Sequence, residues 1–357
     1  MRLYLIGGFL GSGKTTAIFQ ACNHYLHKHK KVGVITNDQG SILVDSAFIN
    51  TTGVPAAEIL NGCFCCRFNE FSEELTNLIE EHSPEVIFAE AVGSCADLVA
   101  TVARPLMASG FQPEIVVIVF VDACLLFATL EGNASFLNED VQYIFRKQME
   151  EADILILSKA DLLEDGDHEI ITSVLETDYP GKKLLFQNSY DESNISNWLF
   201  AIENFNPSSE RSSLSIDYDI YAKGELSLAW MDEAIVFKST DGTATTAAFA
   251  LTQLIYKKMI VAGYPIGHLK FIVDDGQQKE KISYTTINRR MPSMELMDDF
   301  SDNTRLIVNA RVQATPGEVD SVVRNALDVL KENFSGSILI EQSSVFQPGI
   351  PVPVWRL

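Results

Sequence analysis

At 357 residues the chain exceeds one small core and fits two domains, with 46% hydrophobic residues to fill both. Its 48 acidic and 27 basic residues give a formal charge of −21, which repels phosphate backbones and anionic lipid and argues against nucleic acid or membrane as partners. No basic, apolar leader opens it, and the longest apolar run, Ile115 to Leu130, is too short to span a bilayer and holds Asp122, so a cytoplasmic protein is expected.

Leu3-Tyr4-Leu5-Ile6 reads as a buried strand and runs straight into Gly7-Gly8-Phe9-Leu10-Gly11-Ser12-Gly13-Lys14-Thr15-Thr16, with a helix-compatible stretch following. Gly8 to Thr15 fit GxxxxGK[ST] in the strand–loop–helix setting that a phosphate loop requires. Glycines let backbone amides approach the β- and γ-phosphates of a nucleotide, Lys14 supplies a point charge, and the Thr15 hydroxyl suits a Mg²⁺ ligand. His24, His27 and His29 fall near the end of the first helix. Together with Lys28, Lys30 and Lys31 they read as a basic C-terminus complementing the helix dipole rather than as a metal patch.

A second strand, Val32–Thr36, leads into Asn37-Asp38-Gln39-Gly40, a candidate switch that an ordinary polar turn explains almost equally well. Gly62-Cys63-Phe64-Cys65-Cys66 then packs three thiols into four residues. A regular strand would send alternate thiols to opposite faces, so a turn is implied. It lies just before a helix starting near Asn69 and marked by Phe71, Leu75, Leu78 and Ile79, whose dipole favours the thiolate. Metal handling is favoured over a redox pair or inert packing, because six cysteines in a non-secreted chain point to a reducing compartment. Zinc takes four ligands and the motif supplies at most three; water, Asp38, Cys95 or a partner's side chain are the candidates for the fourth. Cys22 and Cys124 read as core.

The strand Val86–Ala89 delivers Glu90-Ala-Val-Gly93, an acid at a strand end placed to hold Mg²⁺ or orient a water, with Gly93 free to approach a γ-phosphate. After the strand Ile115–Val121, the strand Ile154–Leu157 ends in Ser158-Lys159-Ala160-Asp161. A carboxylate there accepts both guanine donors, whereas adenine presents an acceptor, so Asp161 selects GTP over ATP, with the Lys159 stem over the base. Lys183–Phe186 is the last strand of a doubly wound, mostly parallel α/β sheet over residues 1–205. The polar stretch 206–215 reads as a linker. Residues 216–357 carry a strand at 230–239, a helix at 243–262, strands at 267–274, 280–288 and 304–314, a helix at 317–333 and a strand at 337–342. That order is a smaller, ferredoxin-like α+β domain with one additional strand. The tail from Gln347 to Pro353 is expected to be extended, and Arg289 and Arg290 have no evident partner.

GFLGSGKTT, NGCFCC, the Glu90-xx-Gly93 step and SKAD, in this order, resemble the CobW-like GTPases, a metallochaperone family related to the nickel-insertion GTPases of urease and hydrogenase. The resemblance is close across residues 1–205 and outlined only beyond them. It implies a P-loop GTPase domain of the SIMIBI class, a β-rich C-terminal domain, Mg²⁺-dependent GTP hydrolysis, and Zn²⁺ or Co²⁺ at the cysteines. Turnover is expected to be slow without a client, since no arginine finger or water-positioning Gln is recognisable and Glu90 alone must organise the attack. The implied partners are a client metalloenzyme or corrinoid-related protein and a nucleotide-dependent second copy. Carried over residue by residue, the phosphate loop falls on Gly8 to Thr16, the metal ligands on Cys63, Cys65 and Cys66, the Walker B acid on Glu90, and the base reader on Lys159 and Asp161. There are departures. Members commonly carry Asn-Glu-Phe-Gly-Glu where this chain has Asn37-Asp38-Gln39-Gly40-Ser41, Ser158 replaces the usual Asn, and the His-rich loop is absent. An alternative reading is a GTP-dependent activator of a corrinoid enzyme in which the cysteines only sense metal.

Overall fold

A computed structural model describes residues 1–37, 49–132, 137–208, 211–287 and 301–357. They form two compact units: the described residues up to Gly224 together with Ile350–Leu357, and the described residues from Glu225 to Gly349.

The first unit is built on seven parallel strands, β1 (Arg2–Gly7), β2 (Val32–Asn37), β3 (Ala56–Ile59), β4 (Val86–Glu90), β5 (Glu114–Asp122), β6 (Ile154–Ser158) and β7 (Lys183–Gln187), in the order β3-β2-β4-β1-β5-β6-β7. Helices α1 (Lys14–His27), α2 (Phe68–His82), α3 (Arg104–Ala108, continuing a π turn), α4 (Ala123–Leu130), α5 (Glu139–Glu151), α6 (Asp167–Asp178), α7 (Glu192–Glu203) and α8 (Tyr218–Leu226) account for its near-continuous apolar strands. A parallel sheet covered on both faces has no polar side to show, hence Leu3 to Ile6 and Val116 to Ile118 at 0% exposure. Tyr4 stacks on Phe88, and Trp198 of α7 closes over Phe88 and edge-on to Phe120. The chain leaves β1 toward β2 on one side and crosses from β4 to β5 on the other. The topology therefore opens a crevice outside the carboxyl ends of β1 and β4, where open α/β sheets bind ligands.

The second unit has five antiparallel strands, β8 (Ala229–Lys238), β9 (Ile266–Asp274), β10 (Lys279–Tyr284), β11 (Asn303–Val312) and β12 (Ser337–Phe346), in the order β10-β9-β11-β8-β12. Without β10 this is the ferredoxin-like order, and β10 is the added strand, hairpinned onto the edge strand β9. Helices α9 (Ala244–Val261) and α10 (Pro316–Lys331) pack Leu251, Ile255, Val319, Val323 and Leu327 against Met231, Ile235, Phe271 and Val308. Thr315 and Glu318 close a capping box at the start of α10. A buried polar chain lies within this sheet. Arg311 pairs with Asp232 at 2.9 Å and lies over the Trp230 ring, and Asn309 links Asp232 to His268.

The units divide at Gly224/Glu225. The cause is aromatic. Tyr221, 2% exposed, accepts a hydrogen bond from Ala96 N–H, and Tyr218 donates to Asp97, so the chain beyond the polar stretch is still held by the first unit. Among the described residues no helix is long and apolar enough to cross a membrane.

Candidate functional site

Gly8 follows β1 with φ +127°, and a Cβ there would fall 2.1 Å from the Phe120 carbonyl oxygen, so only glycine fits. Gly11 and Gly13 also have positive φ, and Gly13 opens α1 with no side-chain cap on its first amides. Ser12 is fully buried, and its hydroxyl finds no hydrogen-bond partner among the described residues. The Lys14 ammonium lies over the loop, donating to the carbonyls of Gly8 at 2.7 Å and Phe9 at 3.3 Å. A cradle of uncapped amides, a buried hydroxyl and a cation fits a chain of phosphates. Thr15 donates through Oγ1 to Glu90 Oε1 at 2.9 Å, both side chains being buried, and this hydroxyl–carboxylate pair fits Mg²⁺. Thr16 is half-buried in the first turn of α1.

Ser158 ends β6, and its hydroxyl donates to the Ser12 carbonyl at 2.7 Å and the Val121 carbonyl at 3.1 Å, tying the SKAD loop to the phosphate loop. Lys159 sits at φ +57° with its ammonium on the Asp122 carboxylate. Asp122 also caps α4 through the amides of Cys124 and Leu125, a pairing with Lys159 that the sequence does not display. Asp161 is exposed in the short turn Ala160–Leu162.

The three cysteines lie on the turn before α2, in which Cys66 N–H and Arg67 N–H both donate to the Cys63 carbonyl. Their sulfurs are 2.8 Å (Cys63–Cys65), 3.0 Å (Cys63–Cys66) and 3.8 Å (Cys65–Cys66) apart, and all six cysteines are free thiols. Zn–S bonds of ~2.3 Å at tetrahedral angles set sulfurs ~3.8 Å apart, so the cluster reaches a zinc-sized ion after a sub-ångström opening. Among the described residues it is the one group of three or more such side chains that could hold a metal. Thiol donors from Cys65, Cys66 and Cys95 hold the Cys63 sulfur well below the usual thiol range, against the opposing effect of burial. Contact with Cys63 pushes Cys65 well up and Cys66 to about 11.

Asn37, at the end of β2, anchors this turn from the neighbouring strand. Its side-chain amide donates to the carbonyls of Ile59 (3.0 Å) and Gly62 (2.6 Å) and accepts from Phe64 N–H (3.0 Å). A second support comes from far along the chain. Val354 N–H donates to the Cys65 carbonyl at 2.9 Å, Val352 N–H reaches the Cys66 sulfur, and Arg356 pairs at 2.7 Å with Asp97, whose side chain is fully buried. One signal was visible: Asp97 is an acid at the head of the otherwise apolar run to Ala103, and such an acid needs a cation.

Asp38, together with Gln39, Gly40, Arg289 and Arg290, lies outside the described residues. Cys22 and Cys124 are buried in α1 and α4, and burial pushes Cys22 up to about 12. Among the described residues, the histidines of α1 join no candidate metal group.

The family model described as CobW/HypB/UreG, nucleotide-binding domain, matches residues 2–185, just over half of the chain. The chain belongs to the CobW/HypB/UreG family. Curated relatives of this CobW/HypB/UreG chain include the zinc chaperone CobW of Sinorhizobium sp, 28% identical over 188 residues, or 45% of this chain and 51% of that protein. The zinc chaperone YeiR of Escherichia coli K12 is 32% identical over 170 residues, 45% of this chain and 47% of YeiR. The chain spans about half the length of these relatives. Among solved structures, HypB from Helicobacter pylori in complex with nickel has a TM-score of 0.42 at 18% identity, covering 58% of this chain and 90% of that one.

Proposed function

We propose that the protein is a GTP-binding metallochaperone that hydrolyses GTP to load zinc onto, or release it to, a client metalloenzyme, with cobalt as the alternative cargo. One observation carries the reading. The phosphate cradle after β1 and the cysteine turn, pinned by Asn37 at the end of β2, both follow the carboxyl ends of parallel strands of one sheet.

In this reading Gly8 to Thr16 wrap the phosphates, and the Lys14 ammonium leaves the Gly8 and Phe9 carbonyls for the β/γ oxygens. Mg²⁺ would be held by Thr15 with Glu90 and would neutralise charge developing on the γ-phosphate. Glu90 orients the attacking water, Gly93 follows the γ-phosphate, and Asp161 accepts the guanine N1 and N2 hydrogens over the Lys159 stem. Ser158 keeps the base and phosphate loops in register. Cys63, Cys65 and Cys66 hold the cargo ion. The curated relatives' names as zinc chaperones support this cargo.

Delivery driven by a nucleotide requires the two sites to be coupled, and linkage makes the coupling reciprocal. Zinc affinity, measured by chelator competition, is expected to differ by ~5–150-fold between the GDP and non-hydrolysable GTP states, and zinc must change GTP affinity by the same factor. Identical zinc affinities in the apo, GDP and GTP-analogue states would refute the delivery mechanism and leave the nucleotide site intact.

A further inference from the structure

A zinc ion needs a fourth ligand that CxCC does not supply. Cys95 is 2% exposed and its thiol hydrogen-bonds the Cys63 thiol. It does not yet close the tetrahedron, because only Cys63, Cys65 and Cys66 have all their sulfurs within 4.8 Å of one another. The segment that carries Cys95 is held from outside. Gln148 of α5 donates its side-chain amide to the carbonyls of both Gly93 (3.0 Å) and Cys95 (2.8 Å), and Cys95 N–H donates to the Val92 carbonyl. Two residues before Cys95, a Cβ on Gly93 would lie 3.1 Å from the Leu10 N and Cα atoms, so this segment runs directly against the phosphate-loop backbone.

We infer that Cys95 is the fourth metal ligand, completing a four-thiolate site for a zinc-class divalent cation and supplied by the same segment that touches the phosphate loop. The inference rests on the metal reading of CxCC and adds the ligand through which the nucleotide's presence reaches the ion. A short displacement of Gly93–Cys95 toward Cys65 and Cys66 completes coordination, and the reverse displacement leaves three thiolates and an open position from which a client can take the ion.

Cobalt(II) added to the metal-free full-length protein is the probe, since each cobalt–thiolate bond contributes to the charge-transfer absorbance. Cys95→Ser is expected to lower that absorbance per bound cobalt by about a quarter, and Cys124→Ser, a buried thiol elsewhere, to leave it unchanged. Equal intensity in wild type and Cys95→Ser overturns the inference. A wild type without the band, or one that keeps it when Cys63, Cys65 and Cys66 are all Ser, overturns the metal reading itself and is a separate outcome. Zinc-edge X-ray absorption on the wild type needs no variant. Four sulfurs at ~2.3 Å in the GDP or the GTP-analogue state support the site, and three sulfurs with one lighter atom in both states overturn it.

Discussion

Thr15 and Glu90 lie 75 positions apart in sequence and meet at 2.9 Å, which sets their separate duties apart in a testable way. Glu90 touches the hydroxyl that would serve the metal, whereas the glycine loop and Lys14 would hold the phosphates. Glu90→Ala is therefore expected to keep nucleotide affinity within a few-fold while GTP turnover drops at least tenfold; single-turnover hydrolysis at the wild-type rate would remove Glu90 from the reaction. Asp161 stands exposed, ready for a base. Losing a charge-assisted pair costs about 1.5–3 kcal/mol, so Asp161→Asn should weaken GTP binding by roughly 10- to 150-fold and leave ATP binding little changed. Competition titration of the two nucleotides reads this directly, and an unaltered preference would mean that another group reads the base. Most of these residues were legible from the sequence, since a phosphate loop is a local motif whose glycines, lysine and hydroxyl sit within one turn of each other. Asp122 was not, because it meets Lys159 only after β5 and β6 align.

At the scale of elements, α5 backs the segment that follows β4. Gln148 grips the Gly93 and Cys95 carbonyls, and one turn later Glu151 accepts from Val99 N–H at 3.3 Å. Burial, with help from the Asp97 charge, pushes the Glu151 carboxyl up to about 8 from an ordinary 4.5. Between those values the folded protein holds a proton that the unfolded chain has lost, so stability falls as pH rises through this window. Glu151→Gln removes the titration. Its melting temperature should exceed the wild-type value by several degrees at pH 8.5, with the gap closing toward pH 5; parallel curves would show that Glu151 titrates normally. The elements themselves were largely readable. Apolar runs of four to seven residues mark six of the parallel strands, β3 with its short AAEI being the one they miss, and the βαββαβ order of the second unit follows from alternating periods of 2 and 3.6. Strand ends were less so: β10 stops at Tyr284 where the pattern ran to 288, and β12 continues to Phe346 because its partner β8 continues to Trp230.

For the whole molecule, the first unit is not contiguous in sequence, and the returning residues Ile350–Leu357 brace both the cysteine turn and the acid behind the switch segment. The sequence hinted that Asp97 needs a cation but could not name Arg356, which lies 259 positions away and looks like an ordinary surface charge until the chain folds. Arg356→Ala strips the buried Asp97 of its cation and loosens Val354 from Cys65. Zinc should leave the variant several-fold faster, measured by chelator capture, while nucleotide affinity stays within about twofold; an unchanged rate would confine the brace to a packing role. The same discontinuity orders events during synthesis. When Gly224 clears the ribosome the phosphate loop, the sheet and all four cysteines of the crevice are already available to fold, yet their brace has not been made. At about 5–20 residues per second the wait is on the order of ten seconds, during which a nascent chain could bind nucleotide but would hold metal loosely. In the metallochaperone reading proposed above, firm capture of the ion waits for residues 350–357, so chain order alone sets when the cysteine turn tightens.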